Sequence, residues 1–529
     1  MLKNILFLGC LFCLPVSART FYVDCTSGSD ASTGVSEVTG WRTLERVSST
    51  EFSPGDNILL KRGTRCTGQL SPKGSGDEGH PIRLGAFGTG PLPVVDAASA
   101  ESAIKLFNQH DWIVETIHTI GGSPYGIFVS GNQGELPRIT LRNLVVHGVT
   151  GEPKTKKSGL VSVTTSGPAH MSDVLIDGVT AYDSTQWAGI IVSGASRENR
   201  IRNVTVRNSI VHDLYGDGIV LFSVEDGLIE KSAAWRTGLQ PVEKIGTPNA
   251  IWTWTCRRCT VRQTEGFFID SPGVDGGVYD IDWGNDDNVV EDNYAHDSQG
   301  YCAAVFGSGK QTTTNSIIRN NLCVDNGRSP KLARRQGDLY ISTWEGGLLD
   351  GVRIENNTFY WNPPIDTPAI QMDQADFTGN RTNVMRGNTI YTGVSSAVHL
   401  SNAINQDANR IGRAGQSINA ACPPAGRFRL VATGAGRDQV VFLQAALAQY
   451  PGRLEAQLVL SDAAPNLQHD WNLGAVTLQS ASRRQGLEFY SPDNRLIARW
   501  EGFASPTTLG AALRKALGVP NPFAAALSR

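Results

Sequence analysis

The chain has 529 residues and a formal net charge of −3, with 18% charged and 40% hydrophobic residues. That length allows one large domain or two to three of ordinary size. Low charge together with 11 Trp, 12 Tyr and 18 Phe excludes a disordered chain, and the near-neutral balance excludes a broad nucleic-acid surface.

The first segment has the pattern of an export signal. Lys3 supplies a positive start, residues 5–14 an apolar stretch, and Val16, Ser17 and Ala18 a small-residue cleavage site. A signal peptide over 1–18 places the mature chain in the periplasm or outside the cell. No later apolar run is long enough to span a membrane. An oxidising compartment permits disulfides, with Cys25 pairing Cys66 in the N-terminal region and Cys302 pairing Cys323 about one repeat apart. Cys256 and Cys259 form a CxxC without the strand-to-helix setting of a redox motif, so they read as a local disulfide or two packed thiols. Cys422 is the odd cysteine.

Residues 19–100 read as a cap: a strand at 21–24, a short helix at 41–47, and strands at 57–61 and 81–86. From 101 to 410 the chain repeats itself. One phrase places Asn after a short apolar-polar run, at Asn143, Asn208, Asn293, Asn321, Asn357 and Asn388. Asn at a fixed turn adopts left-handed angles, and stacked Asn side chains form a ladder. A second phrase is a short alternating strand whose inward positions fall at Ile104, Ile127, Leu160, Ile190, Ile219, Ile251, Tyr279, Ala303, Leu339, Ile370 and Val398. Strand alternation inside a repeat of about 23 to 36 residues means a β-solenoid of roughly eleven coils.

The N-terminal residues Phe21 to Asp24, Trp41 to Leu44, Pro54 to Asp56, Arg62 with Gly63, and Gly85 to Gly88, followed by these repeats, resemble the right-handed parallel β-helix superfamily. Pectate lyases, polygalacturonases and alginate lyases belong to it. The resemblance implies a mainly β protein acting on carbohydrate and does not choose the reaction. Residues 411–426 read as a linker. Residues 427–529 follow a β-α-β-(α)-β-β-α order that resembles a thioredoxin-like α/β domain, but residues 434–439 stand where its redox cysteines would be. This domain reads as structural, or as docking a protein partner.

Outward residues of the second phrase form two columns. The first runs through Lys105, Phe128, Val161, Ile191, Val220, Trp252, Asp280, Ala304, Tyr340, Gln371 and His399. The second includes Trp254, Asp282, Phe306 and Asp373. Asp280 and Asp282 point to one side of one strand, their Cα atoms roughly 6.5 Å apart. Like charges this close raise one pKa and yield an acid and a base, which glycosidic cleavage requires. Asp338 and Asp217, just before their strands, are assisting carboxylates, and His296 a general base. Asp270, Asp275, Asp286 and Asp287 make the flanking loops acidic. Trp252, Trp254 and Tyr340 are sugar platforms, extended along the face by Gln371, Asp373 and His399.

No polygalacturonase pattern is present. Lys331, Arg334 and Arg335 form a basic group suited to a uronate carboxylate, as a lyase needs, with acidic residues available for Ca²⁺. The leading expectation is a secreted glycoside hydrolase acting on a polysaccharide or oligosaccharide, without a certain cofactor. A polysaccharide lyase and a non-catalytic glycan-binding or structural β-helix are the alternatives.

Overall fold

A computed structural model describes residues 18–152, 155–240, 248–329, 337–363, 366–414, 426–434, 436–460, 476–480, 485–502 and 504–519. The expected signal segment up to residue 17, most of the linker with Cys422, and Lys331, Arg334 and Arg335 lie outside the described residues. Among the described residues no helix is long and apolar enough to cross a membrane.

The N-terminal strands fall at Thr20–Val23, Asn57–Lys61 and Ile82–Phe87, with a helix at Leu44–Ser48. Beyond them the chain winds as a parallel β-helix. One face is an eleven-stranded parallel sheet, one strand per coil, and the remaining strands of the winding pair mainly in a 25-stranded sheet. The register follows the inward column from Ile190 through Ile219, Ile251, Tyr279, Ala303, Leu339 and Ile370 to Val398. One coil differs: Val161, not Leu160, pairs with Ile127 and Ile190. Ser162 therefore takes the outward place expected of Val161, a one-residue slip that periodicity does not detect where Leu160 and Val161 are both fully buried.

Each coil is too thin to enclose a core of its own, so Ile, Val and Leu stack from coil to coil into one continuous cluster. The turns follow the Asn phrase. Asn143, Asn208, Asp292, Asn320 and Asn356 have φ between 51° and 57°. The next residue forms the ladder: Asn321 Nδ2 donates to Asn357 Oδ1 at 3.0 Å, and Asn357 Nδ2 to Asn388 Oδ1 at 3.0 Å. Asn357 also donates to the Ile318 carbonyl at 2.9 Å. Truncation to Ala leaves these buried partners unsatisfied. Asn357→Ala is expected to destabilise the β-helix by about 2 kcal/mol, read from its urea unfolding midpoint.

Disulfides join Cys25 to Cys66 and Cys302 to Cys323, whereas Cys256 and Cys259 are buried free thiols. The C-terminal unit has a five-stranded mixed sheet and helices Arg437–Gln449 and Pro506–Ala516. Its inner strand Phe428–Thr433 is parallel to Leu454–Leu460 and antiparallel to Gly486–Tyr490. The strand Val476–Ser480 adds an outer edge beside Leu454–Leu460, and the bracketed helix of the expected order falls on residues outside those described.

This unit docks on the chain's own β-helix. Its core is continuous with Ile210, Trp235 and Phe267 of the coils. Arg514 reaches Asp297 at 2.8 Å and Tyr294 at 3.1 Å, and Gln449 reaches Glu265 at 2.7 Å. Gly510 faces Tyr294 so closely that a Cβ there would lie 2.7 Å from the ring.

Candidate active site

The outward columns meet on the middle coils. Trp252 pairs with Asp280 and Phe222 with Trp254 in register. The strand Tyr279–Ile281 ends before Asp282, yet the Asp282 amide still donates to the Thr253 carbonyl at 3.0 Å. Alternation therefore continues, and both carboxylates reach the same cleft. Its volume is about 270 Å³, and Asp275, Asp280 and Asp282 line it with Asn249 and Lys156.

The walls are aromatic: Trp187, Trp252, Trp254, Trp283, Phe306 and Trp344. Trp254 stacks on Phe222 at 4.2 Å and meets Trp283 edge-on at 4.8 Å. Its Nε1 is buried without a partner. The Lys156 ammonium lies 5.2 Å from the Trp254 ring and 5.9 Å from the Trp187 ring.

The carboxylates differ in surroundings. Asp282 is partly accessible but enclosed by the walls, and one oxygen accepts the Trp283 amide at 2.8 Å. Burial, reinforced by Asp275, pushes its carboxyl up to about 7 against the Trp283 bond and the Lys156 charge. Asp280 is 3% exposed; one oxygen accepts from Asn249 Nδ2 at 3.3 Å and the other is sealed without a partner. Burial first, then Asp282, Asp275 and Asp217, raise Asp280 well above the usual carboxylate range. Asp275 reaches the cleft from the loop before this strand, at a left-handed φ of 66° that Asp tolerates.

Asp217 lies beneath one wall, where it accepts from Trp252 Nε1 at 2.8 Å and the Asn249 amide at 2.7 Å. Trp252 is thus a pinned wall, 5% exposed. The other expected residues are placed elsewhere. Asp338 is fully buried and accepts from Asn326, whose side-chain amide also donates to the Ala295 carbonyl. Its carboxyl is thus enclosed in the fold, with one oxygen on Asn326 and the other buried without a partner, and it is not among the cleft-lining residues.

His296 is also fully buried, with Nδ1 on Asp297 and Nε2 facing Glu265. It is a rung in a ladder of stacked rings that includes His147, Tyr182, His212, Trp235 and Phe267, under the C-terminal unit. Tyr340 is buried against Phe306 and its hydroxyl donates to Asp373. Gln371, Asp373 and His399 continue the sheet face but are not among the cleft-lining residues. Among the described residues no group of three or more His, Cys, Asp or Glu side chains is placed to hold a metal ion.

Trp187, Asn249, Trp283 and Lys156 were not singled out by the columns. Trp187 and Asn249 precede their strands, Trp283 follows one, and Lys156 comes from a loop. Asp275 carried a signal only as part of an acidic loop.

The family profile described as right handed beta helix region matches residues 125–343. A lacto-N-biosidase of Bifidobacterium longum subsp. longum is 24% identical over 316 residues, 54% of this chain and 18% of that protein. The chain therefore spans less than a fifth of that relative. The crystal structure of GH136 lacto-N-biosidase from Eubacterium ramulus aligns with a TM-score of 0.54 at 18% identity, covering 75% of this chain and 68% of that one. A pectate lyase structure aligns at 0.36 and 14% identity over 71% of this chain and 80% of its own. The fold is a right-handed parallel β-helix.

Proposed function

We propose that this protein is a glycoside hydrolase that binds a sugar in the Trp-walled cleft and cleaves its glycosidic bond with carboxylates of the Asp275–Asp282 segment. The observation that carries this reading is three carboxyl groups converging on one aromatic cleft, where burial and neighbouring carboxylates raise Asp280 and Asp282. Paired carboxyl groups in unequal surroundings are what glycosidic cleavage uses as proton donor and ionised partner.

Asp282, the most accessible of the three, is the attacking or water-activating carboxylate. Asp275, on the loop facing it, is the proton donor to the leaving oxygen. Asp280 does not react directly. With one oxygen sealed and the other held by Asn249, it acts through its neighbours: a neutral group below the reacting pair. The Trp faces stack on the apolar C–H faces of the sugar. The similarity to lacto-N-biosidases favours a lacto-N-bioside among candidate substrates. Export to the periplasm or beyond fits a glycan substrate.

The test is digestion of neutral and acidic oligosaccharides, lacto-N-biosides included, in ¹⁸O-water. Label in a new reducing end supports hydrolysis; an unsaturated sugar end would mean elimination and overturn it. On a cleaved substrate, Trp254→Ala is expected to raise KM about tenfold with a smaller change in kcat, measured by initial rates.

A further inference from the structure

We infer that Asn249 is a positioning residue that holds the proton-donor loop and Asp280 in register with Asp282. Asn249 is 2% exposed and precedes the strand Ile251–Trp254. Each of its polar groups is engaged with a different part of the site. Its Nδ2 donates to Asp280 Oδ2 at 3.3 Å. Its Oδ1 accepts from the Gly277 amide at 3.0 Å and from the Tyr301 hydroxyl at 3.1 Å. Its own amide donates to Asp217 at 2.7 Å.

Gly277 lies two residues beyond Asp275, so the bond to its amide anchors the loop that carries Asp275. Tyr301 packs over that loop so tightly that a Cβ on Gly277 would lie 2.1 Å from its ring. One neutral side chain thus ties the loop and the buried carboxyl together across neighbouring coils, while the residue's backbone N–H holds the Trp252-binding Asp217. An amide suits this place because it donates on one side and accepts on the other without adding charge. Asp cannot donate to Asp280 when ionised, and an apolar residue leaves the Gly277 amide and the Tyr301 hydroxyl buried without an acceptor.

This inference rests on the hydrolase reading, so its test has one arm that does not need turnover. Asn249→Asp keeps both acceptors for the loop and removes the donor to Asp280; Asn249→Ala removes both. On a cleaved disaccharide glycoside, both variants are expected to lose about a hundredfold in kcat, with KM within a few-fold and the pH profile of kcat displaced. Tyr301→Phe, which only loosens the buttress, is expected to lose about tenfold in the same direction and covers the case of a variant that does not fold.

The second arm is infrared spectroscopy of the free protein. The C=O stretch of the protonated carboxyl that Asp280→Asn deletes is expected to shift in Asn249→Ala. An unmoved band and an unmoved pH profile, or an activity loss explained by the lowered folded fraction alone, overturn the positioning role. A wild type that cleaves nothing while the band still shifts overturns the hydrolase reading and leaves the hold on Asp280 intact.

Discussion

Replacing Asp282 by Asn is expected to lower turnover by about a thousandfold or more with the fold retained. Asp282 is the member of the acidic group with an accessible surface, and its bond from the Trp283 amide orients the carboxylate without closing it off. Asn keeps that acceptor and removes the charge. The loss of repulsion with Asp275 leaves the variant no less stable than the wild type, so circular dichroism and melting separate lost chemistry from lost structure. Asp275→Asn is expected to fall as far, because an amide cannot give a proton to the leaving oxygen. Asp280→Asn is expected to lose only about tenfold, since a protonated carboxyl and an amide are both neutral and both donate a hydrogen bond. This ordering of three variants discriminates among the roles. If Asp280→Asn is as damaging as Asp282→Asn while Asp275→Asn is harmless, Asp280 is the acid and the burial argument fails.

Much of this molecule is legible in its sequence because a solenoid writes its periodicity into the chain. Alternation fixes which residues point inward, and stacking turns that into columns, so Trp252, Asp280 and Tyr340 fall in register as expected. The slip at Val161 occurs where both neighbours are apolar and the pattern carries no phase. The site is legible only in part, because strand positions set one wall and loops supply the rest. Asp275, Asn249 and Lys156 stand outside the repeat, and their approach depends on how each loop folds back. Asp338 shows the converse limit: it stands directly before its strand, as expected, but its carboxyl turns to Asn326 inside the fold. His296 has the composition of a base, yet its nitrogens are spent on Asp297 and Glu265 under a domain whose placement no local pattern reveals.

Thermal stability is expected to fall as pH rises from about 4 to 8, and Asp217→Asn to flatten that fall. Burial pushes the Asp217 carboxyl up to about 8, although the Asn249 amide and Trp252 Nε1 both favour its ionised form. In the unfolded chain the same group ionises near its ordinary value of about 4. Between these values the folded protein holds a proton that the unfolded protein has released. The unfolded state therefore gains with rising pH, and stability drops through this window rather than growing. The full difference is on the order of a few kcal/mol near pH 8. In the Asp217→Asn variant the side-chain amide oxygen offers Trp252 and Asn249 the same acceptor without a charge to desolvate. At about pH 5, where wild-type Asp217 is neutral in the folded state, the variant and wild type are expected to melt within a few degrees of each other. At about pH 8 the variant is expected to melt several degrees higher, with a residual slope left by Asp280, whose carboxyl is raised for the same first reason. Parallel melting curves across this range would show that Asp217 is ionised in the folded protein at neutral pH. A buried acid that weakens the fold near neutrality persists only where its hydrogen bonds do something an amide does not. Kinetics of Asp217→Asn decide this: a stabilised variant with an altered KM shows that the carboxyl's pull on the Trp252 indole sets the sugar-binding wall.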